Sequence, residues 1–356
     1  MKRIIFYSIL ITLAVLPSVM LLSFSALGFL AYKSLQDPQN YARHNTAWTS
    51  VASRRIYRNV RNSWQVDEHC AVYDERLLYV PSSACSFENI EFKTGLSFDQ
   101  NGRISPGRES LDDSRPIFVL GDSHAMGWGV NDDETFSHLL EAALRIPVYN
   151  LGVSSYGTVR EIERGLLHPE FKEARCVIIS YDWNDKRENI TYLENGALPP
   201  PTKERFEYLQ NRQTIDLSFT FVLVKTFEYL LDHPGDFFWF LKSGDQYSNI
   251  KKVKKDDKTQ ADIFIRVVKS YPQLRDKKLI VMGPEGFISG LSDRNDLPDT
   301  ILPLLIKDPD ILGFYPIDGH ENSLGHKDIA RAILNTFTTD RGFREACDIF
   351  GAMPVR

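Results

Sequence analysis

The sequence predicts an α/β fold built on a parallel sheet covered by helices on both faces. Short apolar runs at Ile117–Leu120, Pro147–Val153, Cys176–Ser180 and Lys278–Gly283 have the length of strands. Stretches with helical spacing fall between and after them, and such alternation is the signature of a parallel sheet. A composition of 43% hydrophobic and 25% charged residues over 356 residues suits a globular chain that can bury such a sheet, and it excludes wholesale disorder, collagen and a multi-span membrane protein. The formal net charge of -5 supplies no sequence-wide attraction to a phosphate backbone, so no nucleic acid partner is expected.

Met1-Lys2-Arg3 precedes a run from Ile4 to Ala31 without a charged side chain. At about 1.5 Å per residue this run exceeds the roughly 20 residues that cross a bilayer core. The favoured expectation is a retained signal anchor over 1–35, a single transmembrane helix in the inner cell membrane with the remaining chain on the periplasmic or extracellular side. A cleaved signal peptide and a buried core helix are the alternatives. Residues 36–112 are polar, with Arg54, Arg55, Arg58 and Arg61 among aromatic residues, and read as a stalk and a small loop-rich subdomain.

The alternating domain is expected over 113–340. Its first strand ends at Gly121, and Phe136, Leu139, Leu140 and Ala143 mark the first helix. Further helices are expected at about 158–168, 259–270 and 323–336. An insertion at about 186–257 carries Pro199-Pro200-Pro201, the aromatic stretch Phe237-Phe238-Trp239-Phe240 and the basic residues Lys251, Lys252, Lys254 and Lys255. It reads as helices packing aromatics on the core, with a lid or membrane-facing flap as the alternative. Residues 341–356 form a C-terminal tail.

No Cys-x-x-Cys spacing occurs, so no metal site is expected, and no cofactor either. Outside the cytoplasm thiols oxidise, and Cys70 and Cys85, flanking a short stretch with Pro81, are expected to form one disulfide. Cys176 reads as a small buried hydrophobe, and Cys347 carries no reading.

In an open parallel sheet, ligands collect at the carboxyl ends of the strands. The apolar runs end in or carry Gly121-Asp122-Ser123-His124, Asn150-Leu151-Gly152 and Asp182-Trp183-Asn184-Asp185, while Asp318-Gly319-His320 precedes the last helix. Ser, His and Asp are the ingredients of a hydroxyl nucleophile, its base and the group that orients the base.

GDSHAMGWGV at Gly121–Val130, NLGVSSYGT at Asn150–Thr158, WND at Trp183–Asp185 and DGHENSLGH at Asp318–His326 resemble, in order and separation, the four blocks of the SGNH/GDSL hydrolase superfamily. The resemblance covers about 120–340. It implies a flavodoxin-like three-layer α/β/α sandwich, Ser123 as nucleophile, Ser123, Gly152 and Asn184 as oxyanion-hole donors, and His320 with Asp318 as base and partner. Family members usually carry glycine two residues before the asparagine of the third block, where this chain has Asp182. A carboxylate there would weaken anion stabilisation if it pointed inward. Asp122 also reads as a turn or cap partner, His124 as a wall residue, Asp185 as a helix cap or supporting residue, and His326 as a packing histidine on the last helix.

The chemistry agrees with these roles. A serine hydroxyl attacks only when a neutral imidazole can take its proton, and each oxyanion donor contributes up to about 2.7–4 kcal/mol. The resemblance implies a serine esterase acting on short acyl esters, acetyl above all, and the envelope location makes an acetylated polysaccharide a plausible substrate. One alternative is a carbohydrate O-acyltransferase using the same triad beside a membrane-bound acyltransferase partner. Another is a non-catalytic carbohydrate-binding or assembly protein on the same scaffold.

Overall fold

Each of the four short apolar runs forms a strand, and the strands lie side by side. In the computed structural model, which describes residues 2–38, 40, 53, 56–57, 63–108, 115–211, 218–232, 254–306, 313–347 and 349, the strands are β1 (Ala71–Asp74), β2 (Leu78–Pro81), β3 (Ala84–Glu88), β4 (Lys93–Asp99), β5 (Gly102–Arg103), β6 (Ile117–Gly121), β7 (Val148–Asn150), β8 (Cys176–Ser180), β9 (Lys278–Met282) and β10 (Ile301–Pro303). The helices are α1 (Lys2–Gln36), α2 (Ser123–Met126), α3 (Phe136–Leu144), α4 (Thr158–Leu167), α5 (Asp185–Asn195), α6 (Lys203–Gln210), α7 (Phe219–Asp232), α8 (Lys254–Lys269), α9 (Glu285–Ser292), α10 (Ser323–Thr339) and α11 (Arg341–Ala346).

The main sheet has eight strands in the order β10-β9-β8-β6-β7-β5-β4-β3. Strands β10, β9, β8, β6 and β7 are parallel, and β5, β4 and β3 continue the sheet antiparallel. Every residue of β6 and β8 is buried, which is why these strands read as continuous apolar runs rather than alternating ones. Successive side chains still point to opposite faces. Phe118, Leu120 and Ile179 pack with Ile162, Phe264 and Phe287 on one face, while Ile117, Val119 and Ile178 meet Leu140, Ile329 and Ile333 on the other. The result is an α/β fold on a mixed sheet.

The segment expected to be a loop-rich subdomain is more ordered than its polarity suggested. It holds the β1–β2 hairpin and three strands that extend the main sheet. β1 and β3, of four and five residues and largely open to solvent, leave too few apolar positions to show a period, and the two residues of β5 cannot repeat. Arg54, Arg55, Arg58 and Arg61 lie outside the described residues, as do Phe237–Phe240, Lys251 and Lys252. Within the insertion, α6 buries Phe206 beside Trp64, Tyr79 and Met126.

The expected anchor is corrected. Among the described residues no helix is long and apolar enough to cross a membrane, so the single-pass cell-membrane placement does not stand. Length and absence of charge look alike in a spanning helix and in one that packs on its own protein; the partner decides. Leu27, Ala31 and Leu35 of α1 are buried with Val222 of α7 and with Ile317. Phe24 meets Phe227 edge-on with ring centroids 5.6 Å apart, and Tyr32 meets Phe219 at 5.4 Å.

Cys70 and Cys85 form a disulfide, as expected. Cys176 is buried but is no lone hydrophobe: it is bridged to Cys347, tying the start of β8 to the residue after α11. A small buried side chain and a half-cystine look the same in an apolar run when the partner lies 171 residues away.

Candidate active site

The carboxyl edge of the parallel strands gathers three of the four sequence blocks. Strand β6 ends at Gly121, where a Cβ would stand 2.6 Å from Ala125 Cβ and 2.9 Å from Ser180 Cβ, so only glycine lets the chain turn sharply into α2. Asp122 caps that helix, its Oδ1 accepting from the His124 backbone N–H at 2.9 Å. Ser123 is the first helical residue, where the backbone N–H has no intrahelical acceptor. On the far side of the cleft, the Tyr315 N–H donates to the His320 carbonyl and the Gly319 N–H to the Tyr315 carbonyl, both at 2.9 Å, folding Asp318-Gly319-His320 into a tight turn. Asn322 then caps α10 through Leu324 and Gly325.

These two segments meet side chain to side chain. Ser123 Oγ lies 2.8 Å from His320 Nε2, and His320 Nδ1 is hydrogen-bonded to Asp318 Oδ1. Asp318 is buried, and the Trp128 indole donates to its Oδ1 at 3.1 Å. A carboxylate on Nδ1 fixes the tautomer that leaves Nε2 as acceptor for the serine proton.

Asn184 and Gly152 sit near the Ser123 loop in different states. The Asn184 amide donates one hydrogen to Asp122 Oδ2 at 2.7 Å, which holds the side chain beside the Ser123 loop and leaves its second hydrogen. A Cβ on Gly152 would lie 2.5 Å from the Met126 nitrogen, so glycine is required for β7's end to run under α2. Its N–H, however, donates to Asn150 Oδ1 at 3.0 Å.

No family model and no curated protein matches the chain. Among solved structures it is similar to a candidate lipolytic protein of the G-D-S-L family from Desulfitobacterium hafniense DCB-2, at 12% identity and a TM-score of 0.31, over 62% of this chain and 99% of that one. It is also similar to LAE5, an alpha/beta hydrolase enzyme from the metagenome of Lake Arreo, Spain, at 14% identity and a TM-score of 0.30, over 67% of this chain and 97% of that one.

His124 is more than a wall residue. Its Nδ1 meets Glu321 Oε2 at 2.6 Å, its Nε2 faces Asp182 Oδ2 at 3.9 Å, and its ring lies 4.7 Å from that of His320. Burial opposes charge on this imidazole, yet Glu321, with Asp122 and Asp182 behind it, outweighs burial and raises its pKa well above the ordinary value. Burial likewise opposes ionisation of Glu321, and the His124 cation outweighs it, drawing the carboxyl down to about 2. Asp182 therefore faces a cation. Asp122, His124 and Asp182 bring ligand atoms within 4.8 Å of one another. Because Asp122 already accepts two hydrogen bonds and His124 is cationic, an ion-pair network accounts for this cluster.

Asp185 is buried and accepts the Thr158 hydroxyl at 2.8 Å, a supporting position between α4 and α5. His326 is buried on α10, stacks on Phe136 and accepts its backbone N–H at 3.2 Å, away from Ser123. Sequence reasoning missed Asn89, Glu91 and Trp128. Asn89 donates to Asp318 Oδ2 at 3.3 Å, and the Glu91 carboxylate accepts from the Ile317 N–H at 3.0 Å and from the Asp318 N–H. Only Trp128 carried a signal, since it falls inside the first block; Asn89 and Glu91 lie in a segment without any motif.

Proposed function

We propose that the chain is a serine enzyme that opens carboxylic esters through an acyl-Ser123 intermediate. The observation that carries the proposal is the 2.8 Å contact of Ser123 Oγ with His320 Nε2, backed by Asp318 on Nδ1. In this reading Ser123 Oγ attacks the ester carbonyl as His320 takes its proton, and Asp318 stabilises the resulting imidazolium. The Ser123 N–H and the second Asn184 amide hydrogen meet the oxyanion, and Gly152 joins them only if its bond to Asn150 yields. His320 then protonates the leaving alcohol, and water, activated by the same imidazole, releases the acid. The two disulfides fit maturation in an oxidising compartment, where acetylated polysaccharide is a suitable substrate.

The test is fluorophosphonate labelling together with turnover of an acetyl ester, with and without a carbohydrate acceptor. Labelling of the wild type and none in Ser123→Ala is expected. Free acetate marks an esterase. Acetylated acceptor marks a transferase, with the acyl group passing from the ester through Ser123 to the acceptor hydroxyl. No label and no turnover in folded protein would leave a non-catalytic binding protein and overturn the reading.

A further inference from the structure

A groove of about 900 Å³ has Asn184 in its lining and so reaches the loop that holds Ser123. Its floor is α4 and α5, and its walls are the β1–β2 turn on one side and the Gly196–Pro201 stretch with the start of α6 on the other. Four arginines line it, and their states differ. Arg160 is committed, with Nε 2.6 Å from Glu188 Oε2 and its guanidinium 4.6 Å from the Tyr156 ring. Arg76, Arg187 and Arg205 are exposed and have no carboxylate partner among the described residues. Of the groove's three carboxylates, Glu188 is held by Arg160, while Glu163, which accepts the Tyr271 hydroxyl at 2.9 Å, and Glu75 keep their charge without a cationic partner in the lining.

A single solvated arginine on a surface needs no explanation. Three of them reach one groove from three separate elements, and with Arg160 they outnumber the three carboxylates of the lining, a small positive excess in a chain whose net charge is -5. A guanidinium fork matches carboxylate and sulfate oxygens bidentately. Beside the arginines the half-buried Leu198 and the exposed Pro199 add apolar surface, which suits the C–H faces of pyranose rings better than a continuous run of phosphates.

We propose that this groove binds an anionic glycan, a polysaccharide bearing carboxylate or sulfate groups, and leads its O-acyl ester past Asn184 to Ser123. The delivery step rests on the esterase reading; the binding step does not. The full chain is titrated with oligogalacturonate as the carboxylate probe, dextran sulfate as the sulfate probe and neutral dextran as control. Binding of either charged glycan, weakening with added salt, together with at least about tenfold loss in the double variant Arg187→Glu, Arg205→Glu, is the expected result. The probe that binds identifies the anionic group. A thermal melt like that of the wild type checks that the double variant is folded, and its KM for acetylated oligogalacturonate should rise. Equal binding of neutral dextran, no binding of either charged glycan, or full affinity in the double variant would overturn the groove assignment. Charged-glycan binding with no fluorophosphonate label would instead sink the esterase reading and leave the groove standing.

Discussion

His320 and His326 come from one short stretch of chain, and the fold gives them opposite surroundings. His320 sits in the turn before α10 with Ser123 on one nitrogen and Asp318 on the other, whereas His326 is enclosed between Phe136 and Glu321. Burial holds the His326 imidazole at about 4 against an ordinary 6.5, despite the pull of Glu321. The sign follows: between these values the unfolded chain binds a proton that the folded one refuses, so the neutral His326 supports the fold above pH 6.5 and that support is lost as pH falls through 4. Unfolding free energies from denaturant titration should fall by a few kcal/mol between pH 7 and pH 4, and His326→Gln should flatten the slope. His320→Ala should abolish labelling of Ser123 with the fold intact, and equal labelling would break the triad assignment. Asn184 tests the oxyanion reading separately. If its free amide hydrogen meets the developing charge, Asn184→Ala lowers acylation by about 10²–10³ while slow labelling persists.

The loop between β3 and β4 shows how an element without motifs can serve the site. Asn89 accepts from the N–H groups of Glu91 and Phe92 at 2.8 and 3.0 Å, closing the loop, and hands its amide to Asp318. Asn89→Ala should therefore lower kcat, by up to about 10²-fold if His320 is misaligned by an ångström, with KM little changed; a pure loss of stability with normal kcat would show that the loop only packs. This contact was invisible in the sequence because Asn89 and Asp318 are 229 residues apart and neither loop carries a period. What was visible had a local cause. Strands β6, β8 and β9 are buried on both faces and so read as apolar runs, and α3, α4 and α10 show their buried stripe at helical spacing. The proximity of Ser123 and His320 was legible only as two motifs at strand and helix ends. The three-residue β10 and the two-residue β5 were not legible at all, since so few positions cannot repeat. The role of α1 failed for a related reason: its partner α7 lies far along the chain, and an apolar run does not name what it packs against.

At the scale of the whole molecule, two covalent ties act on very different lengths of chain. Cys70–Cys85 closes a separation of 15 residues and Cys176–Cys347 one of 171. In the chain-entropy model the first contributes about 3 kcal/mol and the second about 5 kcal/mol. Cys176→Ser with Cys347→Ser should thus lower unfolding free energy more than the Cys70/Cys85 pair does, as denaturant titration would show, and the reverse ranking would mean that the long tie constrains the unfolded chain little. The long bridge also has a consequence in time. During synthesis Cys176 emerges while its partner is still unmade, whereas the Cys70–Cys85 pair is complete and can oxidise early. For that interval Cys176 is a thiol in search of a partner. Productive maturation then depends on β8 finding its place in the sheet before an oxidant reaches its first residue, so the order in which the chain is delivered sets how much of it needs its sulfurs reshuffled.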